Sequence, residues 1–108
     1  MYTILLADDE ESVLEVLRTG IGWQELGVGT LLSAMDGITA LEQFERYRID
    51  LLIADIRMPR MDGMELIRRV QTLSPDTHCI LLTAYGESKY AQAAIRLGVE
   101  KDVYKRQG

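Results

Sequence analysis

A short apolar run that leads into a polar turn stands at residues 50–63, DLLIADIRMPRMDG. Residues 51–54 are too few for a helix, and their unbroken apolar character is typical of a strand covered on both faces of a sheet. Asp55 follows directly. Three similar runs and one shorter apolar pair occur elsewhere, at residues 2–7, 30–34, 79–83 and 103–104. We therefore predict five strands.

Amphipathic segments separate these runs, because apolar residues recur between them at helical spacing. Alternating strands and helices imply right-handed crossovers and helices on both faces of a parallel sheet. We predict an α/β fold with a doubly wound parallel five-stranded sheet and with the last helix missing. Gly98 is expected to end the fourth helix. The four helical stripes are Val13, Leu14, Leu17 and Ile21; Ile38, Leu41 and Phe44; Leu66, Ile67, Val70 and Leu73; and Ala91, Ala94 and Ile95.

The composition is that of one globular domain. The 108 residues are 47% hydrophobic and 27% charged, with a net charge of −5, so the chain as a whole does not attract nucleic acid. Cys79 is the one cysteine, which excludes an internal disulfide. Because no basic region precedes the first apolar run and no run is long enough to span a bilayer, we expect a cytoplasmic protein without a membrane partner.

Reactive side chains follow the predicted strands. Asp8 and Asp9 follow the first strand, Asp55 the third, Thr83 the fourth and Lys105 the fifth. The carboxyl ends of parallel strands meet at one edge, where ligands bind in such sheets. Clustered carboxylates repel one another unless a cation such as Mg²⁺ joins them, and a hydroxyl and an ammonium suit a phosphoryl group. The pattern predicts an Mg²⁺-assisted phosphoryl site with a carboxylate as nucleophile.

Each of these residues has a simpler explanation when it is taken alone. Asp8 and Asp9 would suit the positive end of a helix dipole, and Asp55 would suit a turn. Thr83 could bond the backbone at a strand end, and Lys105 could be a solvated surface lysine. Their joint placement at successive strand ends is what favours a site.

The residues resemble the receiver domains of two-component response regulators. The resemblance covers residues 2–100 in order and spacing, and it implies a flavodoxin-like fold. It rests on four blocks: ILLADDE at 4–10, DLLIADIRMPRMDGMEL at 50–66, ILLTAY at 80–85 and AQAAIRLGV at 91–99.

The resemblance implies a role for each acidic residue. Asp55 would be phosphorylated by the phosphohistidine of a sensor histidine kinase. Asp9 and Asp55 would bind Mg²⁺ directly together with the backbone carbonyl of Arg57, and Asp8 would hold a metal-bound water. The domain would promote its own phosphorylation and dephosphorylation without turning over an exogenous substrate.

The resemblance also implies roles for the residues around the acceptor. Thr83 would move to bond the phosphoryl oxygens, and Lys105 would pair with the phosphoryl charge. Pro59 and Gly63 would shape the loop after the acceptor, with Gly63 supplying a backbone conformation that side chains disfavour.

Two further residues flank the mouth of such sites. We hypothesise that Arg57 and Tyr85 limit water access and so lengthen the phosphoryl lifetime. The alternative is that both side chains face solvent without effect.

Residues 23–27, WQELG, resemble receivers joined to an AraC-type helix-turn-helix domain. This implies transcriptional regulation, with DNA bound through an output domain absent from these residues, and a homodimer as a further partner state. The alternative is that Trp23 merely packs against the end of the first helix.

The end of the chain departs from the family pattern. Asp102 stands where the family has an aromatic residue, and Arg106 stands where it has proline. We therefore interpret residues 1–105 as a receiver truncated before its fifth helix. Residues 102–108 are doubtful, with a non-native tail as the alternative to a fifth strand. A missing helix would bare part of one sheet face and make the fragment marginally stable or self-associating.

Two rival functions stay open at this point. An Mg²⁺-dependent aspartyl phosphatase has a similar sheet, but that chemistry needs Asp-x-Asp where this chain has Asp8-Asp9. A degenerate receiver would serve only as a dimerisation or docking module, which the intact acidic residues argue against.

Overall fold

The computed structural model describes the backbone of residues 1–104 and the side chains of residues 1–99. Strands and helices alternate without exception along this part of the chain. The elements are β1 (Tyr2–Ala7), α1 (Glu11–Gly20), β2 (Val28–Ala34), α2 (Gly37–Arg46), β3 (Leu51–Asp55), α3 (Gly63–Leu73), β4 (His78–Leu82) and α4 (Ser88–Tyr104).

The strands form one parallel sheet in the order β2-β1-β3-β4. In the register, Ala7 pairs with Ala54 and Asp55 pairs with Leu82, so β1, β3 and β4 end side by side. The predicted parallel α/β fold is confirmed. The register also brings the residues that follow β1 and β4 next to the end of β3.

Helices cover both faces of the sheet, because side chains that alternate along each strand point to opposite faces. Leu6 and Ile53 face α1 and α4, whereas Leu5 and Ala54 face α2 and α3. The chain moves one way along the sheet through α1 and the other way through α2 and α3, as right-handed crossovers require.

The predicted fifth strand is wrong for the described residues, because Val103 and Tyr104 belong to α4. Gly98 does not end that helix. A single glycine costs a helix interior only about 1 kcal/mol, and the Glu100-Lys101 pair that follows favours helix. Two apolar residues between Asp102 and Lys105 offer too little apolar surface to hold a strand in a buried sheet.

The apolar stripe predicted for α4 is also wrong in phase. Ala93 and Leu97 are the buried positions, whereas Ala91, Ala94 and Ile95 are exposed. Since α4 packs against α1 and β4, and α2 and α3 pack on the other side, helices cover both faces of the described sheet. Ile95 and Val99 of α4 are among the large apolar side chains that stay exposed.

The WQELG segment packs against the end of α1 through Trp23. Trp23 is buried in the α1–α4 layer, and its indole Nε1 donates a hydrogen bond to the carbonyl of Leu17 at 2.9 Å. The packing role considered as the alternative for Trp23 is therefore present in the fold.

Candidate functional site

Three carboxylates converge at the carboxyl edge of the sheet. Asp8 directly follows β1, and its backbone N–H donates to the carbonyl of Ala34 at 3.0 Å. Asp55 is the last residue of β3. One oxygen each of Asp8, Asp9 and Asp55 lies within 4.8 Å of the others, and we call this set the carboxylate cluster.

The cluster is largely shielded from water. Asp8 and Asp55 are only 1% and 5% exposed, whereas Asp9 is exposed. Two buried carboxylates without a counter-charge would be costly, so the fold must supply a cation or bind one.

Lys89, in the first turn of α4, supplies that charge. Its Nζ lies 3.0 Å from Asp8 Oδ2, 3.1 Å from Glu10 Oε1 and 3.2 Å from Asp55 Oδ2. Its side chain is almost fully buried. Sequence reasoning missed this residue because it followed apolar residues alone. Lys89 lies four positions before Ala93 and eight before Leu97, so the correct helix phase would have placed it inward.

Both buried partners have raised pKa values. Burial raises the pKa of Asp8 more than the backbone N–H of Glu10 and the Lys89 ammonium lower it. Burial by itself lowers the pKa of Lys89, but hydrogen bonds to Asp8, Glu10 and Asp55 together with the negative charge of Asp8 outweigh burial and raise the pKa overall. Lys89 divides its charge among three carboxylates, which explains why it stays charged while Asp8 is only partly compensated.

The loop after Asp55 is held close against the end of β3. The backbone N–H of Gly63 donates to the carbonyl of Ile56 at 3.0 Å, and that of Met61 donates to Pro59 at 2.7 Å. A Cβ on Gly63 would collide with the carbonyl oxygen of Asp55.

Gly63 therefore shapes the loop in a different way from the one expected. Its φ is not positive, so close backbone approach, not an unusual conformation, requires glycine there. Arg60 is the loop residue in the left-handed region, with φ of 68°.

Thr83 directly follows β4 and is held by a side chain of α4. Gln92 Oε1 accepts hydrogen bonds from the backbone N–H groups of Thr83 and Ala84, each at 2.9 Å. Gln92 Nε2 donates to Thr83 Oγ1 at 3.1 Å. The Thr83 hydroxyl thus bonds a side-chain amide and not the backbone, and Gln92 is a second residue that sequence reasoning missed.

The other predicted residues lie around this edge or beyond the described side chains. Arg57 is exposed, and Tyr85 is 77% exposed. Pro59 is exposed in the loop after β3. Lys105 lies outside the described residues.

The carboxylate cluster fits a magnesium ion by its donor chemistry. Mg²⁺ prefers oxygen ligands and is often held by one or two carboxylates together with waters. The cluster offers three carboxylates within reach of one ion. That a lysine ammonium already lies against two of them shows that this edge accommodates a cation.

The parallel α/β sheet, with acidic residues at the carboxyl ends of β1 and β3 and a threonine after β4, has the arrangement that the resemblance to receiver domains implies. The family model "Response regulator receiver domain" matches residues 4–108. The chain belongs to this family, as its motifs indicated.

The chain is similar to curated transcriptional regulators. It is 39% identical over 105 residues to the uncharacterized transcriptional regulatory protein YesN of Bacillus subtilis, covering 97% of this chain and 28% of that protein. It is 33% identical over 96 residues to the transcriptional regulatory protein HptR of Staphylococcus aureus, covering 89% of this chain and 37% of that protein. The chain thus spans about a third of the length of these relatives.

Solved structures show the same likeness. The receiver domain of AraT, a response regulator from Geobacillus stearothermophilus, is 42% identical with a TM-score of 0.73, covering 89% of this chain and 74% of that chain. A two-component transcriptional regulator AraC from Clostridium phytofermentans is 26% identical with a TM-score of 0.79, covering 99% and 98%. Among the described residues, no helix is both long and apolar enough to cross a membrane.

Proposed function

We propose that this domain accepts a phosphoryl group on Asp55 from a sensor histidine kinase and thereby controls an output. The observation that carries the proposal is the position of Asp55, a buried carboxylate that forms a cluster with Asp8 and Asp9 in which three carboxylates could hold one cation. An acceptor needs a nucleophilic oxygen and nearby positive charge to offset the charge of the transferring group.

In the proposed step, an oxygen of the Asp55 carboxylate attacks the phosphorus of the phosphohistidine. A new O–P bond forms while the P–N bond breaks, and the electron pair returns to the imidazole nitrogen, which takes up a proton. Bound Mg²⁺ would offset the negative charge that develops on the phosphoryl oxygens. Asp8, Asp9, Asp55 and the backbone carbonyl of Arg57 would hold the ion.

Thr83 and Lys105 complete the proposal. Thr83 would leave Gln92 and donate to a phosphoryl oxygen, and its position directly after the strand next to Asp55 supports this role. Lys105 would pair with the phosphoryl charge.

We propose transcription as the output. The support is that YesN and HptR bear the names of transcriptional regulatory proteins and are about three times as long as the matched segment. DNA would then be bound by a part of the protein outside this domain.

Acetyl phosphate provides the test, because it replaces the kinase with a small phosphoryl donor. With Mg²⁺, wild type should gain the mass of one phosphoryl group, whereas Asp55→Asn should gain none. Asp76→Asn is the matched control, since Asp76 is an exposed aspartate in the turn before β4, away from the cluster. Phosphate release without an adduct would support the phosphatase alternative, and no reaction would support a docking module.

A further inference from the structure

Lys89 lies where a bound cation would lie. Its ammonium contacts Asp8 Oδ2 and Asp55 Oδ2, and both residues belong to the carboxylate cluster. At 3% exposure it is a buried lysine whose charge is matched by acidic groups.

The inward face of α4 combines this lysine with apolar residues, while two other large apolar residues of the helix stay exposed. Lys89, Ala93 and Leu97 face inward, while Ile95 and Val99 are 69% and 65% exposed. In an amphipathic helix the large apolar residues normally face the core. The ion pairs of Lys89 therefore help to hold α4 in an orientation that leaves apolar surface in water.

The lysine and a metal ion cannot both use these carboxylates fully. Mg²⁺ demands near-ideal geometry at about 2.0–2.1 Å from its ligands. An ammonium at hydrogen-bond distance from the same two carboxylates would be repelled by the divalent charge.

We propose that Lys89 is the internal cation of the metal-free site, and that Mg²⁺ competes with it and displaces it from Asp8 and Asp55. This inference rests on the proposed function, because it takes the carboxylate cluster as the magnesium site. Displacement loosens the first turn of α4. Gln92, which lies one turn further along α4, holds Thr83, so occupancy of the metal site is coupled to the segment that carries the Thr83 hydroxyl.

The first experiment uses the wild-type chain and the chemical reactivity of Lys89. Acylation by the N-hydroxysuccinimide ester of acetic acid is followed by peptide mass spectrometry, with and without saturating Mg²⁺. The buried Lys89 amine should react slowly without the metal and on the order of tenfold faster with it, because displacement exposes it. The amine of Met1, which is 94% exposed, is the internal control and should not change.

Potassium chloride at equal ionic strength separates competition from screening, and it should leave the Lys89 rate unchanged. A Lys89 rate that is the same with and without Mg²⁺ would overturn the inference. A rate that rises equally with potassium chloride would also overturn it.

The second experiment measures Mg²⁺ affinity by calorimetry. Lys89→Met removes the competing charge, so it should bind Mg²⁺ on the order of tenfold more tightly than wild type, which is about 1.4 kcal/mol. Arg68→Met is the matched control, because it removes an exposed positive charge from α3 that pairs with Glu65 away from the cluster. Equal affinity in Lys89→Met and wild type would overturn the inference. If Lys89→Met does not fold, the wild-type acylation experiment decides.

Acetyl phosphate labelling distinguishes the two proposals. If Asp55 is labelled but Lys89 stays protected in Mg²⁺, the inference fails and the proposed function stands. If the chain neither binds Mg²⁺ nor becomes labelled, both fail.

Discussion

Replacing Lys89 with methionine removes the positive charge shared by Asp8, Glu10 and Asp55 while keeping most of the side-chain volume. Removing one partner of a buried ion pair costs about 3–5 kcal/mol, because the remaining charge is left unpaired. The side chains of Asp8 and Asp55 are 2% and 7% exposed, so they meet this condition. Glu10 is 51% exposed, and its pair with Lys89 should add less than about 1 kcal/mol.

We therefore expect Lys89→Met to lose about 3 kcal/mol of unfolding free energy in the absence of metal. A domain of this size has about 5–15 kcal/mol in total, so the loss is a large fraction of its stability. The melting temperature should fall by roughly 12–24 °C.

Urea unfolding in EDTA, followed by circular dichroism, measures this loss. Arg68→Met, which breaks an exposed pair, should lose less than about 0.5 kcal/mol. Adding Asp8→Asn to Lys89→Met should restore part of the stability, because it removes one unpaired charge. If Lys89→Met is as stable as Arg68→Met, the buried cation does not stabilise the fold as we argue.

Three other predictions concern the cap of α2, the loop after β3 and the access of water to the site. Asp36 caps α2 by accepting a backbone N–H bond at 2.8 Å, so Asp36→Ala should lose about 1 kcal/mol in urea unfolding at pH 7. That bond lowers the pKa of Asp36 from its ordinary 3.8, so the stability that the cap contributes is fully present above pH 3.8. The difference in unfolding free energy between wild type and Asp36→Ala should therefore shrink as the pH falls below 3.8. A difference that is constant down to about pH 2 would contradict the assignment. Gly63→Ala should lose about 3 kcal/mol of unfolding free energy, because its Cβ would collide with the carbonyl at the end of β3. Gly98→Ala is the control, since its Cβ would meet nothing within 4 Å, and it should gain about 0.5–1 kcal/mol of unfolding free energy. Equal effects of the two substitutions would refute the close approach at Gly63. The phosphorylated double variant Arg57→Ala, Tyr85→Ala should lose its phosphoryl group faster than wild type if these exposed side chains limit water access, and equal half-lives would exclude that role.

The two central strands, β1 and β3, were predictable because most of their residues are apolar and buried on both faces of the sheet. Residues 51–54 suit a buried parallel strand, and the register of β1 and β3 then brings Asp8, which follows β1, beside Asp55 at the end of β3. The acidic part of the site was therefore visible in the sequence before any contact was known.

The error in the helical phase of α4 arises where a buried charged residue, Lys89, shares the inward face with Ala93 and Leu97. The stripe of Ala91, Ala94 and Ile95 predicts one face of α4, but the carboxylates that reward a buried lysine come from β1 and β3. Periodicity within a helix cannot reveal a partner that is 81 residues away along the chain. The same limit hid Gln92, whose partners lie in the preceding loop.

Locating the phosphoryl group within the chain shows whether Asp55 is the acceptor. After incubation with acetyl phosphate and Mg²⁺, borohydride reduction converts an aspartyl phosphate to homoserine, which peptide sequencing by mass spectrometry then locates. Homoserine is expected at position 55 in the wild-type chain and at neither Asp8 nor Asp9. Homoserine at another aspartate, or none at position 55 in a chain that binds Mg²⁺, would contradict it.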